Sequence, residues 1–509
     1  MFAAVIIMQQ KLSYEELLQQ NIVQGQQLLQ ALSENKILSE KLFTVQHELS
    51  QLRRMIFGSK SERFVPNADA SQTTLDLNVE PAATVEVSTQ QVTYTRKEVK
   101  VKSNHKGRLP LPASLPRNEI ILEPEANTKG CKAIGEEITE ELDYTPGKLF
   151  VNKYIRKKYA KPDGEGIVIA PLPPRPIDKC IAGAGLLAAI LIDKYVDHLP
   201  LYRQMQRFKR EGMDIPKSTI GDWTKQAGSL LVILANALRM KVIQACYLMV
   251  DESPIKVLDS NHENGIHQGY YWVYRAPEEK LVLFDYQKGR GRDGPTQMLK
   301  DFKGKLQTDG YAVYEQFEKQ QGIALLGCMA HARRYFDQAL QSDKTRATQA
   351  LQHFGLLYDV EREARENNYA YTKRYELRKD KIVPVLNLME TWLKENLIQV
   401  TPQSPMGKAI AYTLARWEKL CRYTTDGKLE IDNNWVENSI RPLALGRKNY
   451  LFAGSHDSAE RAAAIYSLMG TCKLNNINPY NWLRETLPKL NDCKSSKLTD
   501  LLPTDFFSS

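Results

Sequence analysis

Two aspartates stand where apolar runs give way to turns. Asp251 closes Cys246-Tyr-Leu-Met-Val250, and Asp309 follows Leu306-Gln-Thr308 and precedes Gly310-Tyr311. They are 58 residues apart (309 − 251). Acids fixed on separate rigid elements and converging in space suit one chemistry well. Magnesium takes oxygen ligands and commonly binds through one or two carboxylates plus substrate phosphate. Two such ions clamp the attacking and leaving oxygens of an in-line displacement at phosphorus. Taken singly, each aspartate reads as a surface turn acid, the ordinary role of Asp near Gly310 or Ser253-Pro254.

The elements around them make the pair more than two turn acids. Cys246–Asp251 reads as a short buried strand ending in its acid. Gly269–Tyr274 and Leu281–Tyr286 are β-rich runs split by Ala276-Pro-Glu-Glu279, a hairpin signal. A short helix leads to the strand end at Asp309. Ile323–Cys328 is another apolar run before the helical Ala330–Gln341. Residues 345 to about 420 are helical and polar. The order strand, hairpin, helix, strand fits an α/β ribonuclease-H-like core. That core places one acid on its first strand and a second at the end of its fourth.

Three segments together carry a family resemblance. Asp251-Glu-Ser-Pro254, Leu306-Gln-Thr-Asp-Gly-Tyr311 and the long run from Asp432-Asn-Asn-Trp-Val-Glu437-Asn-Ser-Ile-Arg441 through Arg447-Lys448-Asn-Tyr-Leu-Phe-Ala-Gly-Ser455 resemble insertion sequence 66 family transposases. The resemblance spans nearly the whole chain. It implies that Glu437, 128 residues after Asp309 (437 − 309), is the third acid. The polar helices between the two are then an insertion in the catalytic fold, at about 342–430. Asp432 is the rival, with an N-cap as its plain reading. By the same resemblance Asp251, Asp309 and Glu437 bind two Mg²⁺, with Mn²⁺ an alternative. Arg441, one helical turn after Glu437, joins Arg447 and Lys448 as a candidate for backbone phosphate, the alternative for Arg441 being an ion pair with the acid. His331, Arg333 and Arg334 form a similar basic group at a helix start. The family's acid is often followed by Arg, and Asn438 stands there instead, which puts one contact in doubt.

These elements need something to bring DNA to them. Residues 1–58 read as a dimerising coiled-coil helix, with Leu28, Asn35, Leu42 and Leu49 at a positions and Ala31, Leu38, Val45 and Leu52 at d positions. An amphipathic helix folded on its own chain is the alternative. Residues 59–107 read as a basic flexible linker, which Arg96, Lys97, Lys100, Lys102, His105 and Lys106 make a candidate arm for phosphates or a solvated loop. Residues 108–176 form a small β-rich module. Residues 177–244 read as a helix-turn-helix region, with one helix ending at Gly212, a turn past Pro216, and Ser218 or Thr219 capping the next. Arg203, Arg207, Lys209, Arg210, Lys217 and Lys225 load both helices with positive charge and favour DNA over a plain helical hairpin. The core then spans 245–455 and a helical tail 456–509.

The β-rich module departs from the family pattern. Members often carry two Cys-x-x-Cys pairs there, but here only Cys131 remains, and Ala160-Lys-Pro-Asp163 holds no cysteine. A closed structural zinc site needs four nitrogen or sulfur ligands, so no zinc is expected. The seven cysteines are scattered and odd in number, as in a reduced cytosolic protein. No apolar run suggests a membrane span, and Phe2–Met8 is too short and lacks a basic start for a signal peptide; Met8 is an alternative start. A net charge of +9 permits a polyanionic partner. The resemblance implies a transposase in the bacterial cytoplasm, at the nucleoid. It would act as a dimer or higher oligomer on terminal inverted repeats and target DNA, with small accessory proteins from the same element. A DNA-binding regulator, or a nuclease of the same fold, is the alternative.

Overall fold

The computed structural model describes residues 167–504 except 263, 320 and 321, together with 149–160 and positions 30 and 147. The coiled-coil and linker readings, Cys131 and most of the β-rich module lie outside the described residues. Of that module the structure gives a short antiparallel hairpin, β1 (Lys158–Ala160) with β2 (Ile167–Ile169).

Three helices follow: α1 (Ala184–Tyr195), α2 (Leu201–Arg210) and α3 (Lys217–Ile243). Between α2 and α3 the chain turns through Gly212, whose φ of +91° suits a residue without a Cβ. Ser218 and Thr219 do not cap α3, contrary to the sequence reading. The N-cap is Pro216, with no side-chain cap bond, and its carbonyl starts the helix by accepting from the Ile220 N–H. Fixed φ makes proline a ready helix opener, so the hydroxyls fall inside the first turn. Helix α3 is 27 residues long, and by length and composition alone it is apolar enough to cross a membrane. The expectation that nothing here resembles a span needs that correction. Its Leu231, Leu234, Leu238 and Val242 recur at helical spacing and are fully buried in the common core. Each such side chain contributes about 1.5–3 kcal/mol on burial.

The sheet has five strands in the order β5-β4-β3-β6-β7. They are β3 (Tyr247–Leu258), β4 (Ile266–Ala276), β5 (Leu281–Gln287), β6 (Gly304–Gln307) and β7 (Ile323–Leu326). β3, β4 and β5 form an antiparallel meander, while β6 and β7 run parallel to β3. Helix α4 (Asp293–Met298) connects β5 to β6. The fully buried Val250, Trp272, Val273 and Tyr274 give these strands the β-branched and aromatic content that a two-sided core selects.

Beyond β7 come α5 (Met329–Ala339) and then a helical stretch. It comprises α6 (Lys344–Glu366), α7 (Tyr371–Leu377), a π-helical turn (Arg378–Ile382), α8 (Val383–Leu397), α9 (Pro405–Ala415) and α10 (Trp417–Cys421). Helix α11 (Asn434–Tyr450) returns to the sheet. Helix α12 (His456–Leu474) and α13 (Pro479–Thr486) follow, and two 3₁₀ turns (Leu487–Lys489 and Ser495–Leu501) come after them.

The division at residue 455 is not a packing boundary. Helix α12 lies on β5, where Ser467 Oγ accepts from the Phe284 N–H at 2.8 Å and Thr471 Oγ1 from the Val282 N–H at 3.3 Å. Gly470 leaves no room for a side chain against Val282. The sequence alone reads this helix as a tail because its partner strand lies some 180 residues upstream.

Candidate active site

Asp251 does not end its strand. β3 runs seven residues past it, because β4 pairs with it continuously from Met249 to Leu258. What ends near the acid is the opposite neighbour: β6 pairs with β3 only as far as Met249↔Gln307. Farther along, the segment at Ala453 takes up the same edge, donating to the Lys256 carbonyl and accepting from the Leu258 N–H. A stretch of β3 edge is thus left without a strand partner around Asp251. Pro254 falls in this stretch, so its missing N–H breaks no ladder bond. Its carbonyl accepts from Arg447.

Asp309 lies two residues past the end of β6 in a tight turn. Its Oδ1 accepts from the Tyr311 N–H at 2.8 Å, and Gly310 takes a φ of +91°. Two residues earlier, the fully buried Gln307 fixes the turn's base. Its Nε2 donates to the Gly327 carbonyl at 3.1 Å and the Glu430 carbonyl at 2.9 Å, and its Oε1 accepts from the Tyr247 hydroxyl. That hydroxyl in turn accepts from the Glu430 N–H at 3.2 Å. The start of β3, the end of β6 and the chain leading to α11 therefore share one buried polar junction.

Glu437 sits in the first turn of α11, where the helix dipole favours an acid. The helix start is pinned beside Asp251. Asn433, fully buried, donates from Nδ2 to the Val250 carbonyl at 2.9 Å, and its N–H reaches the Cys328 sulfur at 3.2 Å. Asp432 is occupied structurally. Its carboxylate accepts from the Asn434 N–H and amide and from the Tyr358 hydroxyl. The assigned N-cap is Asn433, so Asp432 acts one residue earlier, through an Asx-type turn.

The helical stretch holds this helix from behind. Arg374 bridges Glu361 and Glu430, and Arg378 bonds Glu361 and the carbonyls of Tyr423, Asp426 and Leu429, all in the interior. Burial alone would raise the Glu361 carboxyl, but the Arg378 and Arg374 guanidiniums hold it below its ordinary value. Tyr412 on α9 also donates to the Asp309 carbonyl at 2.9 Å, and Arg416 to the Gly310 carbonyl at 3.2 Å.

Three acids from three elements therefore face a common space. The Asp251 carboxyl is pushed up to about 8, first by burial and then by the negative charges of Glu252, Asp309 and Glu437. Glu252 is raised too, by burial and by Asp309, against the opposing pull of Arg290. Sequence reading passed over this fourth carboxylate, although it stood in the quoted Asp251-Glu-Ser-Pro motif. His331 on α5 faces the same space. Burial and Arg334 hold its imidazole below the ordinary value, while Asp309, Glu437 and Asp432 pull the other way. Its Nδ1 and the Asn433 Oδ1 are buried without a hydrogen-bond partner among the described residues. Among the described residues no three His, Cys, Asp or Glu side chains are already gathered closely enough to hold a metal ion.

The sequence-predicted cations divide into two groups. Arg333, Arg334, Arg441 and Lys448 are exposed, Arg441 and Lys448 on the same helix as Glu437, and among the described residues no ion pair joins Arg441 to Glu437. Arg447 is half-buried and anchors α11 to β3 through Pro254. On the paired helices, Arg203, Lys209, Arg210, Lys217 and Lys225 are exposed, and Lys209 lies 3.4 Å from Asp214. Arg207 is committed to Asp193 on α1. The same hairpin buries Phe208, Ile215, Ile220 and Trp223 in the common core, so it is at once core structure and a charged surface.

Residues 179–461 match the family profile described as Transposase IS66 family. Residues 45–120 match one described as Transposase C of IS166 homeodomain, and 467–504 match the IS66 C-terminal element. The chain is 32% identical over 492 residues to the uncharacterized protein y4qI of Sinorhizobium fredii, covering 92% of this chain and 90% of that one. It is 30% identical over 491 residues to y4jD of the same organism, covering 92% and 95%. A 49-residue segment is 41% identical to the uncharacterized protein YuaK of Escherichia coli, covering 10% of this chain and 52% of that protein. No solved structure matches the chain significantly. A mixed α/β core carrying the three motif acids, and a profile match over more than half of the chain, place this protein in the IS66 family of transposases.

Proposed function

We propose that this chain cleaves DNA at the ends of an insertion element and joins the freed 3′-hydroxyl to target DNA, using Asp251, Asp309 and Glu437. The observation that carries the reading is the Asp251 carboxyl, which feels both Asp309 and Glu437 from within the protein. The strand order, with a meander followed by two parallel strands, supports a ribonuclease-H-like core.

The donor set fits magnesium, or manganese in its place. It is all oxygen, it is partly buried, and its negative charges repel one another until a hard cation compensates them. Asp251, Asp309 and Glu437 would hold the ions. When bound, two such ions supply charge stabilisation for the attacking and leaving oxygens of an in-line displacement at phosphorus. The protein supplies the rest. Asn433 and Gln307 orient the elements bearing the acids. Exposed Arg333, Arg334, Arg441 and Lys448 take backbone phosphates, and the paired basic helices α2 and α3 extend that contact to the terminal repeats. The absence of a Ser or Tyr nucleophile motif agrees with direct transesterification.

The test uses Asp251→Asn and Glu437→Gln in the full chain, with a duplex bearing the element end. Cleavage and joining both disappear while DNA binding persists. Retained cleavage in either variant refutes the assignment. Cleavage without joining by the unaltered protein would mark a nuclease instead.

A further inference from the structure

Asp251 and Asp309 both lie two residues beyond the last ladder pair of β3 and β6, Met249↔Gln307. Sheet hydrogen bonds therefore do not set the distance between them. On one side the bonds from Tyr412 and Arg416 hold the Asp309 turn. On the other, a chain of contacts begins at Glu252, the residue after Asp251.

The Glu252 side chain is only 3% exposed. Its Oε1 accepts from Arg290 Nε at 2.9 Å and from an Arg290 terminal nitrogen at 2.5 Å, and its Oε2 accepts from the Tyr314 hydroxyl at 3.2 Å. The Arg290 guanidinium lies 4.2 Å from the centre of the Tyr311 ring. The Tyr311 hydroxyl donates to the Arg290 carbonyl at 3.3 Å, and the Tyr311 N–H donates to Asp309. The circuit Glu252, Arg290, Tyr311, Asp309 thus spans the gap that the ladder leaves open.

Stability is a poor reason for this arrangement. A buried carboxylate near Asp251 and Asp309 is costly, and an apolar side chain beside the fully buried Trp272, its register partner, would avoid that cost. What a guanidinium–carboxylate pair adds is direction, because a planar fork fixes orientation as well as distance. Arg290 stands between Gly289 and Gly291 in the loop Lys288-Gly-Arg-Gly-Arg-Asp-Gly294. Its side chain is 47% exposed, yet its guanidinium reaches the buried Glu252 carboxylate.

We infer that Arg290 and Glu252 are positioning residues, a clamp that sets the Asp251–Asp309 spacing for the phosphodiester reaction; this rests on the reading of those acids proposed above. The clamp works as one unit, so either half is useless without the other.

The experiment compares Arg290→Met, Glu252→Gln, their double variant and Arg290→Lys with the unaltered full chain and Asp251→Asn. Single-turnover cleavage rate and half-saturating DNA concentration are read separately. Arg290→Met and Glu252→Gln each slow cleavage by about 10- to 100-fold, the cost of a misplacement near 1 Å. Half-saturation stays unchanged, and the double variant is no slower than the slower single one. Arg290→Lys, which keeps the charge but not the fork, recovers part of the rate. Independently of activity, the rise in melting temperature that Mn²⁺ produces over each protein's own metal-free value shrinks in both single variants, even though the metal-free value of Arg290→Met itself falls as the buried Glu252 carboxylate loses its partner. Three results overturn the clamp: an unchanged rate; additive losses with weaker DNA binding, which make Arg290 a phosphate contact; or an undiminished Mn²⁺-induced rise in melting temperature in the slowed variants, which makes the pair merely structural. If Asp251→Asn still cleaves, the reading of the acids fails. If it is dead while Arg290→Met is fully active, only the clamp fails.

Discussion

Replacing Asp251 by Asn removes a charge that the folded protein resists holding. The Asp251 carboxyl sits near 8 in the folded chain against an ordinary value of 3.8. The folded state therefore binds this proton more tightly than the unfolded state. Its favourable contribution is complete at pH values below the ordinary one and is lost progressively as pH rises through the folded one. Each pH unit in that window is worth about 1.4 kcal/mol, so the whole window amounts to at most about 6 kcal/mol. Relaxation and bound counter-ions reduce the observable part, and even a third of it is about 2 kcal/mol, large beside the roughly 10–15% uncertainty of a denaturant extrapolation. The assay is urea unfolding of the unaltered chain and of Asp251→Asn in chelator, at several pH values from 4 to 9. The variant gains stability over the parent as pH rises. Saturating Mg²⁺ then stabilises the parent, by about 2.7 kcal/mol at a hundred times the dissociation constant, and leaves the variant nearly unmoved. Parallel pH profiles for the two proteins in chelator would refute the argument that Asp251 is buried among like charges.

Two further outcomes follow from the same geometry. Asn433→Ala leaves the buried Val250 carbonyl without its donor, costing about 1–3 kcal/mol in a thermal or urea melt, and cleavage falls because the Glu437 helix loses its anchor on β3. Arg334→Ala and Arg441→Ala, both at exposed positions, change stability by no more than about 0.5 kcal/mol. Each weakens DNA binding across sequences and lowers the slope of log affinity against log salt by about 1 in a fluorescence titration.

Part of the site was legible in the linear order of residues. Asp251 and Asp309 were found because apolar runs and turn residues mark strands locally, and Glu437 because its motif is long and specific. The helices between β7 and α11 were visible from their pattern. Other features were not. The apolar run ends at Asp251, yet β4 extends β3 to Leu258 by pairing that no local signal announces. Ser218 and Thr219 looked like caps by type, but Pro216 already occupied that position. Helix α12 looked like a tail until Ser467 and Thr471 met β5. Glu252 was an unremarked neighbour of Asp251, and nothing in the sequence ties it to Arg290, 38 residues away.

By itself, then, the sequence determined which acids are present, the order of the elements that carry them, and the family. Periodicity, turn chemistry and motif are written in neighbouring residues. Only the tertiary structure decided where β3's partner strand gives out, that Asn433 and Gln307 tie together the segments beside the three acids, and that Arg290 pairs with Glu252. Those decisions rest on hydrogen bonds between residues far apart in the chain, made in an interior where each buried polar group must find a partner. A linear string names the candidates for such pairing, and the folded chain selects among them.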